Sequence, residues 1–243
     1  MGIRRSGILI IRPISIVAFF VFVVAGCTSR EPNIFMPNDF YSNVNGKQLT
    51  LVAINETPTA NASFPGAKCL LCTGAAKLTN ISLSKHAKTL STSSLDDLSE
   101  RIAIGLERKS LNAQHIPEKN DFKELKVFPV FSAQEKFAKK DFRPLKEKLG
   151  ADRLVLLTIL GVGVRKPYVD YIPTGEPVAF LHLNVKMVNL QNNELIVNTV
   201  VYSAVPADGE WKEPPFYPGL TTAFHQAISD AEYKIGEVLR IEL

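Results

Sequence analysis

From residue 153 onward the chain separates hydrophobic and polar positions cleanly enough to define elements. The run "RLVLLTILGVGV", 153–164, is almost continuously apolar, the pattern of a central strand covered on both faces. In "PVAFLHLNVKMVNLQ", 177–191, Leu181, Leu183, Val185 and Met187 alternate with His182, Asn184 and Lys186, so one face is buried and the other polar. Asn192-Asn193 suits a tight turn into "ELIVNTVVYSAV", 194–205, and the two runs predict a hairpin. A closing helix carries Phe224, Ala227, Ile228, Ala231, Ile235 and Val238 on one stripe.

The first half is less regular. "KQLTLVAI", 47–54, alternates and is rich in β-formers, which predicts the first strand. Residues 55–94 are mostly small and polar, and read as loop with one or two helical turns. Leu95, Leu98, Ile102 and Leu106 then recur at helical spacing, with Ser94 as the expected N-cap. "ELKVFPVF", 124–131, predicts a short strand that Pro129 places near an edge or end. Ser132-Ala133-Gln134-Glu135 forms a capping box for a helix closed by Gly150 and kinked at Pro144. The order β-α-β-α-β-β-β-α predicts one α/β domain over 47–243, a mixed sheet of about five strands with helices packed on it.

The N-terminus changes the picture. Arg4 and Arg5 precede an apolar stretch from Ile14 to Val24 in which only Ser15 is polar, and Ala25, Gly26 and Cys27 follow. That is the layout of an export signal, with an apolar core short for a membrane span. A retained anchor helix is the alternative, although Arg12 and Pro13 break the longer run. Val24-Ala25-Gly26-Cys27 resembles the lipobox of bacterial lipoproteins. The resemblance implies cleavage before Cys27, a diacylglycerol on its thiol, acylation of the new amine, and a durable membrane anchor. Thr28, where inner-membrane lipoproteins commonly carry Asp, implies the periplasmic face of the outer membrane. Residues 1–26 are then signal peptide and 27–46, rich in Pro, Asn and Ser, a lipidated tether. Loss of Arg4, Arg5 and Arg12 reduces 28 basic residues to 25 against 24 acidic ones. No global charge case for nucleic-acid binding remains.

"LGADRLVLLTILGVG", followed by "LNVKMVNLQNNELI", resembles a recurring envelope fold. It is shared by the N-terminal domain of the Tol-system periplasmic protein, the curli-secretion lipoprotein and the lipoprotein activators of penicillin-binding proteins. Asn189 and Asn192-Asn193 stand where those relatives often place Asp and a Thr-Gly turn. The resemblance implies a non-catalytic binding or assembly module for an envelope partner. A subunit of an oligomeric secretion or envelope-spanning ring is the alternative, so a homo-oligomer stays open.

Candidate chemistry is sparse, and no catalytic residue, metal site or cofactor is assigned. The histidines, His86, His115, His182 and His225, lie on separate elements without a partnering motif. Gly161-Val-Gly163 lies within a strand and suits close packing or a bulge better than a dinucleotide. Lys68, Lys77, Lys85 and Lys88, with His86, make 57–95 basic. That stretch is either a solvated face or a contact for anionic headgroups or cell-wall carboxylates.

Cys69 and Cys72 in "KCLLC" are the two thiols left after Cys27 is acylated, and an oxidising periplasm favours a structural disulfide between them. A redox role would need the pair at a helix N-terminus directly after a strand, and zinc would need ligands beyond His86. Two Pro-rich loops, 165–177 and 206–219, hold Tyr168, Tyr171, Trp211, Phe216 and Tyr217. The hairpin brings the loops to one end of the sheet. These aromatics are expected either to form one docking patch, rimmed by Arg165, Lys166 and Glu213, or to fold back as lids.

Overall fold

The computed structural model describes residues 31–117, 122–129, 136–209, 213 and 216–243. Cys27, Trp211 and the capping box at 132–135 lie outside the described residues, as do the signal segment 1–26 and residues 28–30.

The chain forms a single α/β domain around a mixed sheet. Its long strands are β1 (Leu49–Ile54), β4 (Arg153–Arg165), β7 (Val178–Asn189) and β8 (Leu195–Pro206), joined by the short β2 (Asn61–Ser63) and β3 (Asn112–His115). The order is β3-β1-β4-β7-β8, with β2 beside the far half of β4. β1 pairs parallel with β3 and β4, whereas β4, β7 and β8 are antiparallel neighbours. The extra residue Leu160 makes a bulge in β4 opposite Leu183 and His182. Gly163 has φ +137°, and a Cβ there would overlap the backbone of Asn61 in β2. Glycine is what lets β2 approach β4 so closely.

One face of the sheet carries the main core. Leu181, Leu183, Val185 and Met187 are fully buried, as the alternation in 177–191 predicts, under α4 (Leu98–Arg108) and α6 (Pro218–Leu239). Leu95, Leu98, Ile102 and Leu106 are buried with them. Leu95 belongs to a separate 3₁₀ turn, and Asp97 rather than Ser94 stands at the N-cap of α4. A bidentate ion pair from Arg101 to Glu232, at 2.7–2.8 Å, ties α4 to α6.

The opposite face has a second core, Leu51, Ala53, Leu154, Leu156, Val188 and Leu195, covered by Ala138, Phe142 and Leu145. Here the expectations fail. The described part of 124–131 is no strand: Phe122–Glu124 is a 3₁₀ turn and Val127 makes one isolated bridge to Lys140. Within 136–150 the helix is only α5 (Leu145–Leu149), with Pro144 at its N-cap. Tertiary bonds hold the preceding segment extended. Ala138 N–H donates to Asn193 O, and the buried Asn193 side chain donates to the carbonyls of Ala138 and Lys140 and accepts from Phe142 N–H. A helix over 136–142 would lose these bonds.

Two further corrections bear on the site. Residues 55–94 contain α2 (Leu70–Thr79) and α3 (Ile81–Thr89), separated only at Asn80, far more helix than one or two turns. Residues 31–46 are not a tether. Ile34 and Asn198 exchange backbone hydrogen bonds at 2.8 Å, Met36 is buried, and Phe40 is buried within the short helix α1 (Phe40–Asn43). Glu31 accepts from Lys139 N–H and Lys186 Nζ, each at 2.6 Å.

Candidate docking surface

At the far end of β4 the chain makes a small ribbon, β5 (Tyr168–Val169) and β6 (Ile172–Pro173), before entering β7. Asp170 turns the ribbon at φ 52°, a left-handed conformation that Asp tolerates. Backbone bonds fasten it to the segment leading into α2: Lys166 N–H to Ser63 O, Tyr168 N–H to Pro65 O, and Asp170 N–H to Gly66 O, at 2.8–3.1 Å. Gly66 has φ +93°, and a Cβ there would run into the Tyr168 carbonyl. Asn80 braces the other side, donating to the Tyr168 hydroxyl at 2.7 Å and accepting from Lys166 Nζ at 3.0 Å. Ribbon and helix are therefore one unit.

This arrangement divides the aromatic residues. Tyr168 is 6% exposed, edge-on to Phe64, and Tyr217 is 5% exposed, with its hydroxyl on Ser82 Oγ and its ring beside His86. Both fold back into the protein and are not part of a surface patch. Tyr171 (57%) and Phe216 (77%) do stand in solvent. The two loops do leave one end of the sheet, since Val178 pairs with Pro206 and Ala207 N–H donates to Pro177 O. Arg165 lies over the rings of Phe180 and Tyr202 on the sheet and does not rim the ribbon.

The exposed apolar side chains that accompany Tyr171 are ones the sequence reading passed over: Val169 and Ile172 on the ribbon, Leu70 (89% exposed) and Leu71 on α2. For Leu71 a signal existed. Cys72 and Ala76, four residues apart, define the buried stripe of α2 and turn Leu71 and Leu78 outward.

Cys69 is the N-cap of α2, and its sulfur lies at bonding distance from that of Cys72, with Cα atoms 4.9 Å apart. The Cys72 N–H points at Cys69 Sγ from 2.8 Å, and the Tyr171 hydroxyl lies 3.5 Å from the same sulfur. Cys69 is exposed while Cys72 is buried among Phe64, Ala67, Ala76 and Tyr168. The pair therefore occupies a helix N-terminus, although residues 64–68 separate it from the preceding strand β2.

Lys77, Lys85 and Lys88 gather around a hollow of about 400 Å³ between β2, α2 and α3. His86 turns away to Thr221 Oγ1 at 3.0 Å, and burial lowers its pKa from 6.5. A larger hollow, about 630 Å³, lies on the sheet among polar Glu31, Asn33, Asn184 and Lys186 and apolar Leu160 and Val200. Among the described residues, no group of three His, Cys, Asp or Glu side chains could hold a metal ion, and no helix is long and apolar enough to cross a membrane.

No protein-family model and no curated protein matches the chain. Similar solved structures include protein XCC0632 from Xanthomonas campestris, described as family DUF330, at 13% identity over 85% of this chain and 91% of that one, with a TM-score of 0.42. Lipoprotein GNA1162 from Neisseria meningitidis is similar at 9% identity over 75% and 99%, with a TM-score of 0.28. PelC from Paraburkholderia phytofirmans, a dodecamer, is similar at 9% identity over 83% and 94%, with a TM-score of 0.29. At these scores the likenesses assign neither a fold family nor a role to this chain.

Proposed function

We propose that this protein is an envelope lipoprotein, processed at Cys27 and held on the periplasmic face of the outer membrane, that docks a protein partner. Residues 1–26 are its signal peptide, 27–30 the link to lipid, and the rest the periplasmic domain. The observation that carries the docking role is the exposure of Leu70 and Leu71 on α2 and of Val169, Tyr171 and Ile172 on the ribbon bonded beside it. Exposed apolar residues scattered singly are ordinary; five on two elements bonded into one unit are not. Each large side chain left in water forgoes roughly 1.5–3 kcal/mol of burial, which a partner recovers. The bracing through Gly66 and Asn80 limits the ordering entropy lost on binding, and Tyr171 has the amphipathic character of an interface anchor.

The anchor fits this reading. Even fully extended, the chain from Cys27 to Glu31 reaches at most roughly 14 Å. Glu31 is pinned to the sheet by Lys186, so the domain sits close to the bilayer rather than on a long leash.

A photoreactive residue at position 172 tests docking in living cells. We expect a discrete protein adduct that Leu71→Asp abolishes while stability stays within about 1 kcal/mol of wild type. No adduct, or one indifferent to Leu71→Asp, contradicts the reading.

A further inference from the structure

We propose that Cys69–Cys72 is an exchangeable disulfide that takes the thiol of a cysteine-bearing protein seated on the apolar surface around it. The identity of that partner rests on the docking reading; the exchange chemistry does not.

Four observations point to exchange rather than reinforcement. The bond joins residues 69 and 72 across a single turn, with Cα atoms 4.9 Å apart, so it links nothing that the helix does not already join. Loop-closure gains from so short a ring are small. The two sulfurs are unequal, Cys69 exposed and Cys72 buried, so an incoming thiolate meets one and not the other. Cys69 stands at the N-terminus of a ten-residue helix with no acidic side chain in the first turn, and the Cys72 N–H is directed at its sulfur. A thiolate released on Cys69 is stabilised there by the helix dipole and that N–H. Finally, Leu70, Leu71 and Tyr171 flank the exposed sulfur, so a chain binding the apolar surface is brought to it.

The step balances as ordinary thiol–disulfide exchange. A partner thiolate attacks Cys69 Sγ, forming a new S–S bond. The Cys69–Cys72 bond breaks, and Cys72 Sγ leaves with the electron pair and takes up a proton. A second partner thiolate attacks the partner sulfur of the mixed disulfide and releases Cys69 as thiolate. Two electrons pass from the partner dithiol, which becomes a disulfide, to the Cys69/Cys72 pair, which becomes a dithiol. The reverse sequence with a partner disulfide restores the starting state.

Glutathione tests the site without any partner. The full chain, carrying Cys27→Ser and kept in detergent, is equilibrated with reduced and oxidised glutathione under native conditions, quenched with acid, alkylated and weighed. We expect complete interconversion of the pair across the series with the near-UV circular dichroism unchanged. In the reduced protein, alkylation at pH 6 should be at least about tenfold faster at Cys69 than at Cys72. Cys72→Ser should take a single glutathione at Cys69. A pair that stays oxidised at every ratio until denaturant is added overturns the proposal, whether or not Cys72→Ser folds. Equal alkylation of both sulfurs in the folded dithiol overturns it too. Exchange with glutathione in a chain that gives no adduct at position 172 keeps the site and removes the docking reading.

Discussion

Tyr168 and Tyr171 are three residues apart on one ribbon, yet one is core and the other surface. Tyr168 lies in β5, where Phe64 and Asn80 pack and bond it, whereas Tyr171 lies in the turn between β5 and β6 and is carried into solvent. His86 shows the same dependence on neighbours. Its ring is held between Thr221 Oγ1 and Tyr217, and burial lowers its pKa, so it takes a proton less readily in the fold than once unfolded. Stability from this residue is fully present above the ordinary histidine value of 6.5 and is lost as pH falls through that value toward the lowered one. Thermal melts at about pH 7.5 and about pH 5.5 should show a larger drop for wild type than for His86→Gln. Equal drops would show that His86 does not titrate between the two states.

Among elements, those carrying a clean period were legible and those fixed by distant partners were not. The alternation of 177–191 and the stripe from Phe224 to Ile235 gave their faces directly, because burial of one face is all that fixes them. The extended 136–142 segment was not legible: the helix expected across it gives way to bonds with Asn193, more than fifty residues away in sequence. Strand β3, with only Ala113 buried, offers almost no apolar signal and exists because β1 leaves an open edge beside it. In α2 the spacing of Cys72 and Ala76 was present, but small residues on both faces concealed it. The exposure of Tyr171 and the closeness of Cys69 and Cys72 agree with the sequence pattern; the burial of Tyr168 and Tyr217 was not legible, since it depends on Asn80 and Ser82 of other elements. Asn193→Ala should destabilise the protein by more than about 2 kcal/mol, because it strands two carbonyls and the Phe142 N–H and places Ala at φ 66°. The exposed neighbour Asn192→Ala should stay within about 0.5 kcal/mol in the same denaturant titration. Similar values for both would mean that the second core does not depend on this turn.

At the scale of the molecule, two cores lie on the two faces of the main sheet, and the segment after Glu31 and the end of α6 are both fastened to the domain. Residues 31–36 run along the edge of β8, and Tyr41 donates to the carbonyl of Leu239 at the end of α6. Glu31, the first described residue, is four residues after Cys27, and the proposed membrane attachment depends on what happens at that cysteine. Growth with a clickable fatty acid, followed by isolation of the protein, tests it directly. Wild type should carry the label and fractionate with the outer membrane, while Cys27→Ala should carry none. Equal labelling of the two proteins, or labelled protein confined to the inner membrane, would contradict the account.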